Sequence, residues 1–152
     1  MGARAHGPFV VLIGESGVGK TTIGKRVASK LNGMRVCRDD FDYGWRDVYP
    51  VLDHTETAVV ECVKIPRALL RRMRERHAML IELTLDNEAR RKRLEAREVD
   101  PDDADMLFRI RPGKNAYEEH IEPDLVFDTA GDPDDVAAQI CERARRLTIG
   151  TL

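Results

Sequence analysis

Residues 14–21, GESGVGKT, stand between an apolar run, FVVLI, and an alternating stretch, TIGKRVASKL. The octet fits G-x-x-x-x-G-K-[ST] without a mismatch, and no other feature constrains the chain as much. Its glycines, Gly14, Gly17 and Gly19, permit backbone angles closed to residues with a side chain. Successive N–H groups then face one way and form an anion nest. A helix opening at the end of such a turn adds free N–H donors and the positive end of its dipole. The motif works only between a buried strand and a helix, so it already points to an α/β chain.

The flanking residues agree. FVVLIG is a short apolar run that ends in glycine, as a parallel strand buried on both faces does. Ile23, Val27 and Leu31 are four apart and make one apolar stripe, and Asn32-Gly33 stops that helix. MRVCRDDF reads as a brief second strand, whereas residues 42–57 read as irregular or weakly helical. AVVECVKI is a third strand, followed by a helix with Pro66 in its first turn. AMLIELTL is a fourth strand, and Asp86 is placed to cap the next helix. Residues 99–123 show no clear period. DLVFDT is a last strand, and Val136, Ile140, Ala144 and Leu147 share one face of a last helix. Strands alternating with helices predict a parallel sheet of about five strands, covered on both faces, in one α/β/α domain.

The loop chemistry predicts a nucleoside triphosphate ligand. Gly14, Glu15, Ser16, Gly17, Val18, Gly19, Lys20, Thr21 and Thr22 would hold it. Lys20 reaches the terminal phosphates, and the Thr21 hydroxyl is a magnesium ligand. DTAG, residues 128–131, imitates the D-x-x-G element of GTPases. It falls near the end of the chain with no N-K-x-D element after it, so ATP is the expected nucleotide.

The stretch LTLDNEARRKRLEAR resembles the small P-loop kinases, such as adenylylsulfate, gluconate and adenylate kinases. In these a strand leads into a helix carrying R-L-x-x-R, matched here by Arg93-Leu94-Glu95-Ala96-Arg97. The resemblance spans residues 10–147 and implies the P-loop NTPase fold, with a lid at about 98–118. It implies that Arg93 packs on the adenine and that Arg97 binds phosphate and steadies developing charge. NAYEEHIEPDLVFDTAG is similar to the end of the lid and the last strand of adenylylsulfate kinases. Those enzymes carry more sequence between their second and third strands, so their particular substrate is not carried over.

On the acceptor side, the resemblance implies a carboxylate after the second strand, and Asp39 and Asp40 are the candidates. The order Arg38-Asp39-Asp40 is also similar to 5′-polynucleotide kinases, which would make Arg38 a substrate-phosphate contact. Glu61 follows three apolar residues, as an acid at a strand's carboxyl end would. It is a candidate for holding a magnesium-bound water or for acting as base, unless it only pairs with Lys20 or Arg67. The sequence leaves the base open among Asp39, Asp40 and Glu61. Lys64, Arg67, Arg71 and Arg72 suit an anionic acceptor, and Phe41, Tyr43 and Trp45 are candidates for lining its pocket. Arg109 and Arg111 would bring charge on lid closure. His6, His54, His77 and His120 have no metal-ligand spacing.

Composition bounds the partners. The 152 residues carry a formal net charge of −2, so no global basic field draws the chain to nucleic acid or to a membrane. No apolar run is long enough to span a bilayer, and the first residues do not read as a signal peptide. Cys37, Cys62 and Cys141 are far apart and suit a reducing, cytoplasmic setting. The expected activity is transfer of the γ-phosphoryl group of ATP, with magnesium, to a hydroxyl of a small molecule. Two alternatives are a 5′-hydroxyl polynucleotide kinase and a nucleotide-dependent regulatory switch.

Overall fold

The computed structural model describes residues 7–38, 45–63, 65–98, 100–109 and 121–150. Among the described residues the chain alternates strands and helices. The first half comprises β1 (Phe9–Ile13), α1 (Lys20–Leu31), β2 (Met34–Cys37), α2 (Trp45–Asp53), β3 (Ala58–Cys62) and α3 (Arg67–Arg74). The second half comprises β4 (Ala78–Thr84), α4 (Asn87–Arg97), α5 (Pro101–Arg109), β5 (Leu125–Asp128) and α6 (Pro133–Gly150). All strand pairs are parallel, in the order β2-β3-β1-β4-β5.

Alternation along each strand divides the core in two. Val10, Leu12, Val59 and Ile81 face Ile23 and Val27 of α1 and Val136, Ala137 and Ile140 of α6. Phe9, Val11, Val60 and Leu80 face Val48 and Leu52 of α2 and Leu69, Leu70 and Met73 of α3. The result is the three-layer α/β/α sandwich expected from the alternating pattern. α1 ends on Asn32, whose φ of 53° is left-handed, while the Gly33 N–H bonds the Ala28 carbonyl at 2.9 Å.

Four local expectations sharpen or change. Residues 45–53, within the stretch expected to be irregular or weakly helical, form a helix with Pro50 inside it. Proline removes one helix hydrogen bond, but Val48 and Leu52, four apart, are buried against the sheet and outweigh that loss. Arg76 supports the helix end, donating to the carbonyls of Leu52 and Thr55 with its guanidinium over the Phe9 ring. Pro66, expected in the first turn of α3, is its N-cap, one position before Arg67. Residues 101–109 form a helix where no period is visible, because Ala104 is its one buried residue. Leu147, expected on the buried face of α6, is 37% exposed.

β5 is started by a side chain. The Asp124 N–H bonds the Leu80 carbonyl, and the Asp124 carboxylate accepts from the Leu80 N–H, both at 2.8 Å. No helix among the described residues is long and apolar enough to cross a membrane.

Candidate active site

The loop after β1 lies at the carboxyl edge of the sheet, where open α/β sheets bind ligands. Gly17 and Gly19 have φ of 87° and 100°, the left-handed angles that the nest requires. Lys20 folds back over the loop, its Nζ donating to the carbonyls of Gly14 at 2.7 Å and Glu15 at 3.1 Å. Two carbonyls of the loop are held from outside by α4. Arg90 donates to Ser16 O at 3.0 Å, and Arg93 to Val18 O at 3.1 Å. A trans peptide points its N–H opposite to its carbonyl. The N–H groups of Gly17 and Gly19 are therefore turned away from α4.

α4 is set by its cap, since the Asp86 carboxylate accepts from Ala89 N–H at 3.0 Å, as the sequence predicts. Arg93 also donates to Thr129 O at 2.9 Å, and the buried Thr129 hydroxyl donates to Val18 O. DTAG is thus the end of β5 and a loop that buttresses the phosphate-loop backbone. The resemblance puts Arg93 on an adenine. In the structure its guanidinium lies over Gly19 and ties α4 to the loop and to Thr129. Arg97 is half-exposed, pairs with Glu98 at 3.1 Å and faces the same cavity.

Glu61 sits at the carboxyl end of β3, only 1% exposed. Its carboxylate takes Arg35 Nε and, at 3.2 Å, Arg35 Nη2, a two-pronged pair across β2 and β3. Arg35 Nη2 is also 3.5 Å from the Thr21 hydroxyl. Burial pushes the Glu61 pKa up, opposed by Arg35 and to a lesser degree by Thr21 and Lys20. Arg35, absent from the sequence-based candidates, forms the two-pronged pair with Glu61, and Lys20 adds a weaker charge interaction. Gly24 of α1 makes room, because a Cβ there would collide with the Glu61 carboxylate.

A cavity of about 720 Å³ unites these parts. Gly17, Gly19, Lys20, Thr21 and Thr22 form its floor, Arg93, Ala96, Arg97, Thr129 and Pro133 one end, and Cys37, Glu61, Cys62 and Val63 the other. Gly14 closes the loop on β4, where a Cβ would meet Leu83 O at 2.7 Å. Arg67 is exposed on α3, and Arg38 is half-buried just after β2. Neither is among the cavity-lining residues just described. Arg72 pairs with Asp53 on the surface between α2 and α3. Asp39, Asp40, Phe41, Tyr43, Lys64 and Arg111 lie outside the described residues. No cluster of three metal-ligating side chains occurs among the described residues.

Arg35, Arg90 and Thr129 are missing from the sequence-based candidates. A lone arginine in a strand, when a neighbouring strand carries a buried acid, is a signal for Arg35. For Arg90 the signal is its place four residues before Leu94, on the buried face of α4.

No protein-family model and no curated protein matches the chain. Solved structures do. A gluconokinase from Sinorhizobium meliloti 1021 is 16% identical, with 98% of this chain and 97% of that one covered at a TM-score of 0.63. A shikimate kinase from Acinetobacter baumannii, in complex with shikimate, is 16% identical over 97% and 96%, at a TM-score of 0.57. A sugar kinase from Janibacter sp. HTCC2649 is 22% identical over 91% and 92%, at a TM-score of 0.56. These likenesses run the length of each chain, and the protein has the fold of the small P-loop kinases.

Proposed function

We propose that the protein is a phosphotransferase that moves the γ-phosphoryl group of ATP to a hydroxyl of a small molecule, with magnesium. The observation that carries this reading is the loop itself: two left-handed glycines, Lys20 folded over the turn, and outward carbonyls held by α4, all opening into a cavity that reaches Glu61.

The residues fit both implied groups. Backbone N–H groups and the N-terminus of α1 suit a polyphosphate. The Thr21 hydroxyl beside the Glu61 carboxylate supplies hard oxygen ligands, and magnesium takes few of these from protein when phosphates supply others. ATP supplies the transferable group, and magnesium neutralises its charge. Lys20 exchanges the carbonyls of Gly14 and Glu15 for phosphate oxygens. Glu61, paired with Arg35, would hold a water of the metal or orient the acceptor hydroxyl. Asp39 and Asp40 stay candidates for that second task. Arg93 keeps the loop in shape at the nucleoside end, and Arg97 meets charge on the phosphates. Catalysis is then positioning and charge stabilisation, which is most of what phosphoryl transfer requires. Arg38, Lys64 and Arg67 are proposed contacts of an anionic acceptor.

The names of the similar structures choose the first acceptors: gluconate, shikimate and simple sugars. ADP release is measured with purified protein, Mg-ATP and each acceptor. Release that depends on an acceptor, and that falls by at least about a hundredfold in Lys20→Ala, supports the reading. Release stimulated only by 5′-hydroxyl oligonucleotides, or only by a protein partner, would replace it.

A further inference from the structure

Arg90 is among the most buried side chains of the protein, at 1% exposure, and it is charged. Burying a guanidinium is costly unless its donors are met. Its partners divide into two groups. Toward the phosphate loop it donates to Ser16 O at 3.0 Å and pairs with the Glu15 carboxylate at 3.0 Å. Toward α5 it donates to Phe108 O at 3.0 Å and lies 4.2 Å from the centroid of the Phe108 ring. The Phe108 carbonyl belongs to the last turn of α5, the negative end of that helix. The loop rests directly on the same residue, since a Cβ on Gly17 would stand 3.1 Å from Arg90 O and 2.9 Å from Leu94 Cγ.

Arg91 of α4, half-exposed, also lies 4.2 Å from the centroid of the Phe108 ring. Among ion pairs, Arg91 reaches Asp105 at 3.7 Å, and Arg109 reaches it at 3.1 Å within α5, both exposed. Such pairs contribute little. Arg90 therefore joins two elements that have no other buried charged link among the described residues. By holding Ser16 O it also sets the plane of the Ser16–Gly17 peptide, and so the direction of one nest N–H.

We propose that Arg90 is a positioning residue that couples α5, in the segment read as a lid, to the phosphate-binding loop. Docking of α5 then pre-orients the loop for phosphate, and a bound nucleotide in turn steadies α5. Coupling of this kind is reciprocal. The inference rests on the nucleotide-binding reading above.

The test compares wild type, Arg90→Met, Arg90→Lys, Phe108→Leu and the double variant Arg90→Met/Phe108→Leu. Mg-ADP affinity is measured by calorimetry. Hydrogen exchange of residues 101–109 is followed with and without Mg-ADP. In wild type, Mg-ADP slows exchange in 101–109. Phe108→Leu, a change outside the loop, weakens binding about fivefold and loses part of that protection. Arg90→Met does at least as much, and the double variant loses less than the sum of the two single variants, because both remove the contact of Arg90 with the Phe108 ring. Arg90→Lys follows Arg90→Met, since one ammonium does not span Ser16 and Phe108 together. Wild-type affinity with retained protection in the Arg90 variants overturns the coupling, as do additive losses. If Arg90→Met does not fold, Arg90→Lys and Phe108→Leu decide by the same criteria. A wild-type protein that takes up no Mg-ADP overturns the nucleotide reading, and the coupling with it.

Discussion

A buried carboxylate at the end of a central strand is governed by its nearest cation. Burial raises the Glu61 pKa above its ordinary 4.5, and Arg35 opposes that rise. Between the ordinary and the raised value the folded chain binds more protons than the unfolded one. Glu61's contribution to stability therefore falls as pH rises through that window and levels off above it. Arg35→Met removes the main opposing charge and widens the window. Urea unfolding at pH 8 is expected to show a loss of about 3–5 kcal/mol. The loss shrinks toward acidic pH as the carboxyl takes up a proton, and Glu61→Gln in the same background recovers much of it. A loss that does not change with pH would mean that the arginine acts by packing alone. The acid was visible in AVVEC because a charged residue interrupts an apolar run. Its partner was not, since 26 positions separate Arg35 from Glu61 and only the pairing of β2 with β3 closes that distance.

At the scale of elements, α1 and α4 hold the loop from two sides. Gly→Ala in an exposed helix interior normally stabilises by up to about 1 kcal/mol. Gly24→Ala is expected to do the opposite, because its methyl meets the Glu61 carboxylate. A loss of about 1–3 kcal/mol in chemical denaturation is the expected result, and a gain would show that α1 can shift off β3. Asp86→Ala removes the α4 cap and is expected to cost about 1 kcal/mol by the same measurement. It also weakens Mg-ADP binding, since α4 carries both Arg90 and Arg93. The α4 cap was legible because capping depends on residues three apart. α5 was not, because a helix with one buried residue has no stripe to display. α2 was obscured by Pro50, whose local penalty is outweighed by the burial of Val48 and Leu52.

For the whole molecule, the strand order places β1 between β3 and β4. The loop thereby sits over the middle of the sheet, bordered by Glu61 on one side and by Thr129, beyond β4, on the other. A ligand held there contacts parts of both halves of the chain, so it is expected to stabilise the domain as a unit. Mg-ADP at a hundred times its Kd should add about 2.7 kcal/mol, seen as a single thermal transition moved upward. Lys20→Ala should show no shift at the same concentration. A biphasic transition would mean that the segments around the site unfold separately. The sequence by itself determined the phosphate loop, the strands that flank it and the α/β/α class, because these follow from backbone freedom at glycine and from apolar period over a few residues. Only the tertiary structure decided which arginine neutralises Glu61, that Arg93 and Thr129 hold Val18, and that Arg90 bridges Ser16 to Phe108. Those partners are distant in the chain, and a guanidinium reaches whichever carbonyl or carboxylate the strand order and helix packing set before it.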